Sequence, residues 1–195
     1  MKELKYVILQ NGCWKNNIYG GIDMSEIEIR EASPDDSDTL IAYTKRVGKE
    51  SDNLTFGAEG FPVTTEQEKA FLQSMHDDKH SVFYCAWKNE ELIATGSMSG
   101  LDRRMSHRAG LALSVVKAEW NNGVGSMLME KLIEYARQNG IEIINLEVRS
   151  DNARAIHLYE KYGFQHIGTS PAFFKIDGEY IDFELMYLDL RQNAN

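Results

Sequence analysis

A change in the way successive segments are connected constrains the fold of this chain more than any other sequence feature. Up to the glycine turn Asn122-Gly123-Val124-Gly125, three consecutive segments have the composition of strands. The polar turn 88–91 joins the first two, as in an antiparallel hairpin. After the glycine turn, helical and strand periods alternate, as in strand–helix–strand units. The sequence therefore predicts a mixed α+β domain with the glycine turn at the junction, where ligands commonly bind.

Hydrophobic periods and cap residues predict the individual elements. Ser33-Pro34 and Thr64 are helix-start signals, and Asn139-Gly140 ends the third helix. The predicted strands are residues 27–30, 81–87, 92–99, 109–116, 143–148, 164–169 and 180–190. The predicted helices are residues 35–49, 64–76, 124–138 and 153–162. A loop that contains Asp177-Gly178 is expected to link the last two strands.

Composition and charge argue against several classes of protein. The net charge of −9 disfavours a nucleic-acid-binding protein, which needs basic side chains to neutralise phosphates. Cys13 and Cys85 form no C-x-x-C pair and are expected to be reduced thiols, as in a cytoplasmic protein. No segment approaches the roughly 20 apolar residues of a membrane helix. The five histidines show no metal-ligand spacing. We therefore expect a cytoplasmic protein with no metal and no membrane partner.

A length of 195 residues is typical of one domain, which we place at residues 24–195. Residues 1–23 are predicted to be an N-terminal extension, because they are rich in Gly and Asn and show no clear period. An alternative interpretation is that translation starts at Met24.

The glycine turn has the local chemistry of an anion site. Glycine permits positive φ and a close backbone approach to a ligand, and the first N–H groups of the following helix point outward. A tight strand-to-helix turn without a ligand would have the same pattern. The third glycine of a dinucleotide site and the G-K-[ST] of a P-loop are both missing here. The turn alone therefore leaves the ligand open.

The segment 116–128 resembles the acetyl-CoA-binding segment of the GNAT superfamily, whose signature is Q/R-x-x-G-x-G/A. The resemblance implies that the N–H groups of residues 121–126 bind the coenzyme's pyrophosphate and that the backbone of residues 114–116 binds its pantetheine arm. Trp120 stands where Gln or Arg is usual, so the backbone of the turn is the part that carries over. The coenzyme-binding residues implied here are Ser114, Val115, Val116, Asn121, Asn122, Gly123, Val124, Gly125 and Ser126.

A second segment, residues 146–164, resembles the N-x-x-A-x-x-x-Y-x-x-x-G-F segment of the same superfamily. Its L-E-V-R start is similar to bacterial ribosomal-protein alanine N-acetyltransferases. From the residues alone, Asn152 can cap a helix, and Tyr159 lies two helical turns later on the same side. The resemblance implies that Asn152 binds the pantetheine arm and that Tyr159 is the general acid.

Acetyl transfer from a thioester to an amine needs a neutral amine and a proton for the leaving thiolate. The resemblance implies that Tyr159 supplies that proton and that the amine attacks the thioester directly. Glu147 matches the glutamate proposed as general base in the ribosomal-protein subgroup. Many relatives use a chain of waters instead, and in that case Glu147 only lines the acceptor site.

The resemblance implies a seven-stranded mixed sheet with helices on both faces and the coenzyme in a V-shaped gap between the fourth and fifth strands. The expected activity is N-acetylation of a primary amine, either a small molecule or a protein N-terminus. The alternative is an acetyl-CoA-binding or sensing module without catalysis, and a homodimer is left open. Arg103, Arg104 and Arg108 form a cluster that could contact the coenzyme's 3′-phosphate, whereas His157 is expected at the surface.

Overall fold

The computed structural model describes residues 26–193, together with two short strands at Ile18–Tyr19 and Ile22–Asp23. The two short strands pair with each other in a sheet of their own, separate from the main sheet. The prediction of an N-terminal extension over residues 1–23 otherwise lies outside the described residues.

Seven strands form the main sheet, in agreement with the sequence prediction. They are β1 (Ile27–Glu31), β2 (Val82–Lys88), β3 (Glu91–Gly100), β4 (Arg108–Val115), β5 (Ile143–Arg149), β6 (Gln165–Ile176) and β7 (Glu179–Asp189). Their order across the sheet is β1-β2-β3-β4-β5-β7-β6. All neighbours are antiparallel except β4 and β5, which are parallel. The predicted mixed sheet is confirmed.

The parallel pair β4–β5 is joined over three residue pairs only, from Arg108↔Ile143 to Gly110↔Asn145. Beyond them, β4 continues to Val115 paired with β3 alone, and β5 continues to Arg149 paired with β7 alone. The two strands therefore separate toward their carboxyl ends. The predicted V-shaped gap between the fourth and fifth strands is present.

Four α-helices cover the sheet: α1 (Ser37–Glu50), α2 (Thr65–Asp77), α3 (Val124–Gln138) and α4 (Ala153–Lys161). Thr64 begins α2 with a capping box, because its side chain accepts from the Gln67 N–H while the Gln67 side chain accepts from the Thr64 N–H. A 3₁₀ turn, Pro34–Asp36, precedes α1, so the helix begins two residues later than its predicted start.

The helices lie on both faces of the sheet, as predicted. On one face, α1 places the Tyr43 hydroxyl against Ser114 of β4, and α2 packs Phe71 edge-on against Phe83 of β2. On the other face, Leu132 of α3 lies against Gly96 of β3. The core side chains with under 2% exposure include Leu40, Leu72, Met98, Leu128, Leu132, Ile144 and Met186. No helix in the described part of the chain is long and apolar enough to cross a membrane.

The final hairpin differs from its prediction. Strand β6 continues to Ile176, where a strand ending at residue 169 and a long loop were expected, and the connection is the tight turn at Asp177-Gly178. The register with β7 shifts between Ser170 and Phe174, and Ala172 has a φ of 53°. This bulge, next to Pro171, interrupts the alternation from which the strand would have been recognised.

The contact between α1 and the loop that follows it leads to a stability prediction. An alanine Cβ at Gly48 would lie 1.9 Å from the carbonyl oxygen of Gly57, a backbone atom that cannot rotate away. Alanine favours helices by about 1 kcal/mol over glycine, but we expect Gly48→Ala to lower the free energy of unfolding by about 2 kcal/mol. Urea denaturation measures the change.

The control is Gly110→Ala, because a Cβ at Gly110 has no atom within 4 Å. We expect that change to stay within about 0.5 kcal/mol of the wild type. Equal stability of the two variants would contradict the packing described for Gly48.

Candidate functional site

A cavity of about 1000 Å³ opens at the β4–β5 gap. Its walls come from α1, α2, the loop after α1, the glycine turn, α4 and the β6–β7 hairpin. Ten of the twelve residues predicted for the site line it: Ser114, Val115, Asn121, Gly123, Val124, Gly125, Ser126, Glu147, Asn152 and Tyr159. The two that do not are Val116, which is fully buried, and Asn122. The structure thus brings the segment 114–126 and the segment 147–159 together around one cavity.

The glycine turn carries backbone N–H groups without acceptors. Gly123 has a φ of 84° and Asn121 a φ of 64°, so the backbone curls just before α3 begins at Val124. The N–H groups of residue 121 and residues 123–126 donate to no acceptor among the described residues, while Asn122 donates to the Glu119 carbonyl at 3.3 Å. Five N–H groups at the start of a helix form a site for an anion.

The two glycines of the turn differ in conformation. Gly123 is left-handed, whereas Gly125 lies within α3. A Cβ at Gly125 would lie 3.2 Å from Leu158 Cδ2. The missing side chain therefore permits the close approach of α3 to α4.

Trp120, which replaces the usual Gln or Arg, follows the 3₁₀ turn Lys117–Glu119 and reaches back to the carboxyl end of β4. Val116 donates its N–H to Ile93 of β3, so by the alternation of an antiparallel ladder the backbone groups of Val115 face the gap. The Trp120 indole N–H donates to the Val115 carbonyl at 2.8 Å. The Val115 carbonyl, which faces the gap on the unpaired edge of β4, thus accepts a hydrogen bond from the Trp120 side chain.

Helix α4 supplies the positive charges of the cavity. The Arg154 guanidinium stacks on the Trp120 ring with 4.2 Å between its carbon and the ring centre. Lys161 Nζ donates to the Ser126 hydroxyl at 3.3 Å, and His157 lies between them on the same helix face. This row was not recognised from sequence, although the spacing 154, 157 and 161 places its members on one side of a helix. His157 is exposed as expected, but on the cavity wall.

The arginine cluster that was considered for the coenzyme lies elsewhere. None of Arg103, Arg104 and Arg108 lines the cavity. Arg108 Nη2 instead donates to the Asn145 side chain at 2.6 Å, where β4 and β5 are still paired. The interpretation of this cluster as a phosphate contact is not supported by its position.

Tyr159 lies in α4 with only 7% of its surface exposed, and its ring packs on Phe164 at 5.7 Å between ring centres. Burial raises the pKa of Tyr159 to about 12, so the phenol stays protonated at neutral pH. No described residue hydrogen-bonds its hydroxyl. Asn152 caps α4 as expected, since its side-chain oxygen accepts from the Ala155 N–H at 3.3 Å.

A hydroxyl network on the cavity floor was missed by the sequence analysis. The Ser114 hydroxyl lies 2.9 Å from the hydroxyls of both Tyr43 and Thr95. Burial raises the pKa of Tyr43, so this phenol is also protonated. The three residues come from α1, β3 and β4, and no sequence spacing links them.

The opposite end of the cavity has aromatic walls, which were missed as well. The phenylalanines that line it are Phe56, Phe61, Phe71, Phe83, Phe173, Phe174 and Phe183. Glu147, which was predicted in the site, is exposed on β5, and Glu68 reaches the cavity from α2. The cavity can thus hold a polyanion at the glycine turn and an apolar, cationic group at its other end.

Comparison with known proteins identifies relatives of the chain. The model of the Acetyltransferase (GNAT) family matches residues 49–164, more than half of the chain. An L-amino acid N-acetyltransferase of Escherichia coli K12 is 41% identical over 81 residues, which are 40% of this chain and 49% of that protein. The chain therefore spans about half the length of this relative.

Solved structures show the same architecture. The GNAT-family acetyltransferase of Streptococcus pneumoniae superposes with a TM-score of 0.82 at 32% identity, covering 84% of this chain and 99% of that one. A putative acetyltransferase of Salmonella typhimurium, solved with acetyl-CoA, has a TM-score of 0.75 at 19% identity and covers 87% of this chain and 97% of that one. The second comparison shows the fold alone.

The left-handed backbone at Gly123 can be tested by substitution. An L-residue in this conformation costs about 1–2 kcal/mol, so we expect Gly123→Ala to lower the free energy of unfolding by about that amount. Gly123→Asn is the matched control, because asparagine enters the left-handed region more easily and should cost less. Denaturant titration of both variants measures the difference, and an alanine variant as stable as the wild type would contradict the conformation.

Proposed function

Because the chain belongs to the GNAT acetyltransferase family, we propose that it transfers the acetyl group of acetyl-CoA to a primary amine by direct attack in a ternary complex. The observation that carries the proposal concerns one cavity. It is lined both by the glycine-turn N–H groups that have no hydrogen-bond partner among the described residues and by the protonated Tyr159. A sensing module needs the first feature and has no use for the second.

Acetyl-CoA supplies an acetyl group activated as a thioester, with a thiol as its leaving group. In the proposal the N–H groups of residues 121 and 123–126 bind the pyrophosphate, and the α4 cations Arg154 and Lys161 add charge beside it. The gap-facing backbone of Val115 and the side chain of Asn152 hold the pantetheine arm, and Ser114 lines the cavity beside them. The N–H groups of Val116 and Asn122 are occupied within the protein, so their contribution is to shape the turn.

Tyr159 is the proposed general acid. Burial raises the pKa of the phenol to about 12, so the phenol is protonated at neutral pH. No other described residue forms a hydrogen bond with its hydroxyl. A phenol of pKa about 12 is a weaker acid than a thiol of pKa about 8.5, so complete proton transfer to a free thiolate is uphill. Tyr159 therefore shares its proton with the sulfur in a hydrogen bond as the C–S bond breaks, and the proton that the attacking nitrogen loses on becoming an amide completes the balance. The apolar contact with Phe164 holds the ring in place.

Glu147 is the proposed general base for the ammonium of the acceptor. It lines the cavity that Tyr159 lines, and its carboxylate has no hydrogen bond or ion pair with any described residue. Removal of the ammonium proton by a chain of waters is the alternative, and Glu147 would then only line the acceptor site. The Escherichia coli relative is named for an L-amino acid acceptor, which is one kind of primary amine. A homodimer and a cytoplasmic location stay predictions.

The role of Tyr159 is tested by Tyr159→Phe. We expect kcat to fall by about 10²–10⁴-fold, because the proton donor is lost, with little change in stability or in acetyl-CoA binding. Release of the free thiol, followed with an amine panel at saturating acetyl-CoA, measures the rate. Since the raised pKa keeps the phenol protonated, the wild-type rate should show no alkaline decline from this group until the pH approaches about 12.

The control is Tyr187→Phe, whose hydroxyl bonds to Gln165 outside the cavity and whose loss should leave kcat unchanged. Tyr159→Phe with wild-type turnover would contradict the acid role. A wild-type protein that binds acetyl-CoA and turns over no amine would favour the sensing module.

The coenzyme-facing charge of α4 is tested by Arg154→Gln. A charge-assisted hydrogen bond contributes about 1.5 kcal/mol or more, so we expect KM for acetyl-CoA to rise about tenfold with kcat nearly unchanged. Arg104→Gln, an exposed arginine outside the cavity, should leave both constants as they are. If Arg104→Gln instead raised KM for acetyl-CoA and Arg154→Gln did not, the arginine cluster would be the group that contacts the coenzyme.

A further inference from the structure

Charge divides the cavity into two ends. Its basic lining residues are Arg154, His157 and Lys161, all on α4 next to the glycine turn. In the described part of the chain, the other walls contain no lysine, arginine or histidine that faces the cavity. The far end therefore has no cationic side chain to pair with a carboxylate of the acceptor.

Four glutamates line the cavity, and two of them are already engaged. Glu50 accepts from the Lys117 N–H at 2.6 Å, and Glu119 accepts from Lys88 at 2.9 Å. Glu68 and Glu147 have no hydrogen-bond or ion-pair partner among the described residues. Two unpaired carboxylates, one from α2 and one from β5, thus face the same space.

Glu68 is the more enclosed of the two. It is partly buried, whereas Glu147 is exposed. Burial raises the pKa of the Glu68 carboxyl, and no positive charge among the described residues offsets that cost. A cation bound beside Glu68 would supply the missing partner.

Aromatic rings surround this end of the cavity. Phe71, one helical turn after Glu68, packs edge-on against Phe83, and Phe56 packs on Phe61 at 4.4 Å between ring centres. On the hairpin side, Phe173 stacks on the buried Phe183 at 4.6 Å. Three of these rings keep over 40% of their surface exposed, namely Phe61, Phe71 and Phe173. Exposed apolar side chains that converge on one cavity are typical of a binding site.

We propose that the acceptor is a primary amine with an apolar, preferably aromatic, body and without a carboxylate beside the amine, and that Glu68 binds its ammonium group. This inference rests on the proposed acetyltransferase function. Rings hold the body of the acceptor, Glu68 and Glu147 attract its charge, and the lack of a cation disfavours free amino acids, whose carboxylate would be desolvated without a partner. Glu68 acts as a positioning residue in acceptor binding.

The test compares four acceptors that differ in one property each: phenethylamine, L-phenylalanine, L-phenylalaninamide and ethanolamine. Phenylalaninamide keeps the branch of phenylalanine but not its negative charge, and ethanolamine lacks the ring. We expect kcat/KM for phenethylamine and phenylalaninamide to exceed that for phenylalanine by on the order of 100-fold, since a buried carboxylate without a partner is costly. Ethanolamine should be a poor acceptor because it leaves the rings unfilled.

The residue is tested by Glu68→Gln, which we expect to raise KM for phenethylamine about tenfold and to leave KM for acetyl-CoA unchanged. Glu66→Gln on the same helix is the control, because Glu66 is exposed and outside the cavity. Phenylalanine as the equal or better acceptor, or identical behaviour of the two glutamine variants, would overturn the proposal.

Calorimetric titration of phenethylamine into the protein–CoA complex separates this inference from the proposed function. Binding that is weakened by Glu68→Gln, with no thiol release from any acceptor, would support amine recognition and contradict acetyl transfer. Thiol release with phenylalanine alone would support the transfer and overturn the acceptor class. If the protein neither binds phenethylamine nor releases thiol with any acceptor, both the acceptor class and the proposed acetyl transfer are overturned.

Discussion

The early end of the pairing between β4 and β5 is the constraint on which the rest of the structure depends. Three residue pairs join the strands, and beyond Gly110↔Asn145 each strand keeps only its other neighbour. A fully paired sheet would leave no room for a cavity and no open backbone on the edge of β4. The glycine turn follows this open edge directly, so its unpaired N–H groups face the same space.

The two ends of that space have opposite character because different elements build them. Near the turn, a helix N-terminus and the α4 cations are complementary to a polyanion. At the other end, Glu68 and Glu147 stand among phenylalanine side chains. Trp120 connects β4 and α4 at the positive end, because its indole N–H donates to the Val115 carbonyl and its ring packs against the Arg154 guanidinium. A residue that departs from the family pattern thus still helps to build the cavity wall.

The sequence predicted most of the fold and most of the residues at the glycine-turn end of the cavity because both depend on local signals. Hydrophobic periods, the Thr64 cap and the glycine turn each act within a few residues. The last hairpin was predicted incompletely because the bulge at Ala172 breaks the alternation. The aromatic walls of the cavity could not be predicted, since Phe56, Phe83 and Phe183 come together only through the tertiary fold.

The most direct test of this account is an NMR titration of ¹⁵N-labelled protein with acetyl-CoA. Each N–H of the glycine turn that donates to no described acceptor should gain one in the pyrophosphate. The amide signals of Asn121, Gly123, Val124, Gly125 and Ser126 should shift strongly downfield together. Saturable binding that leaves these amides unmoved and shifts residues elsewhere would contradict this account.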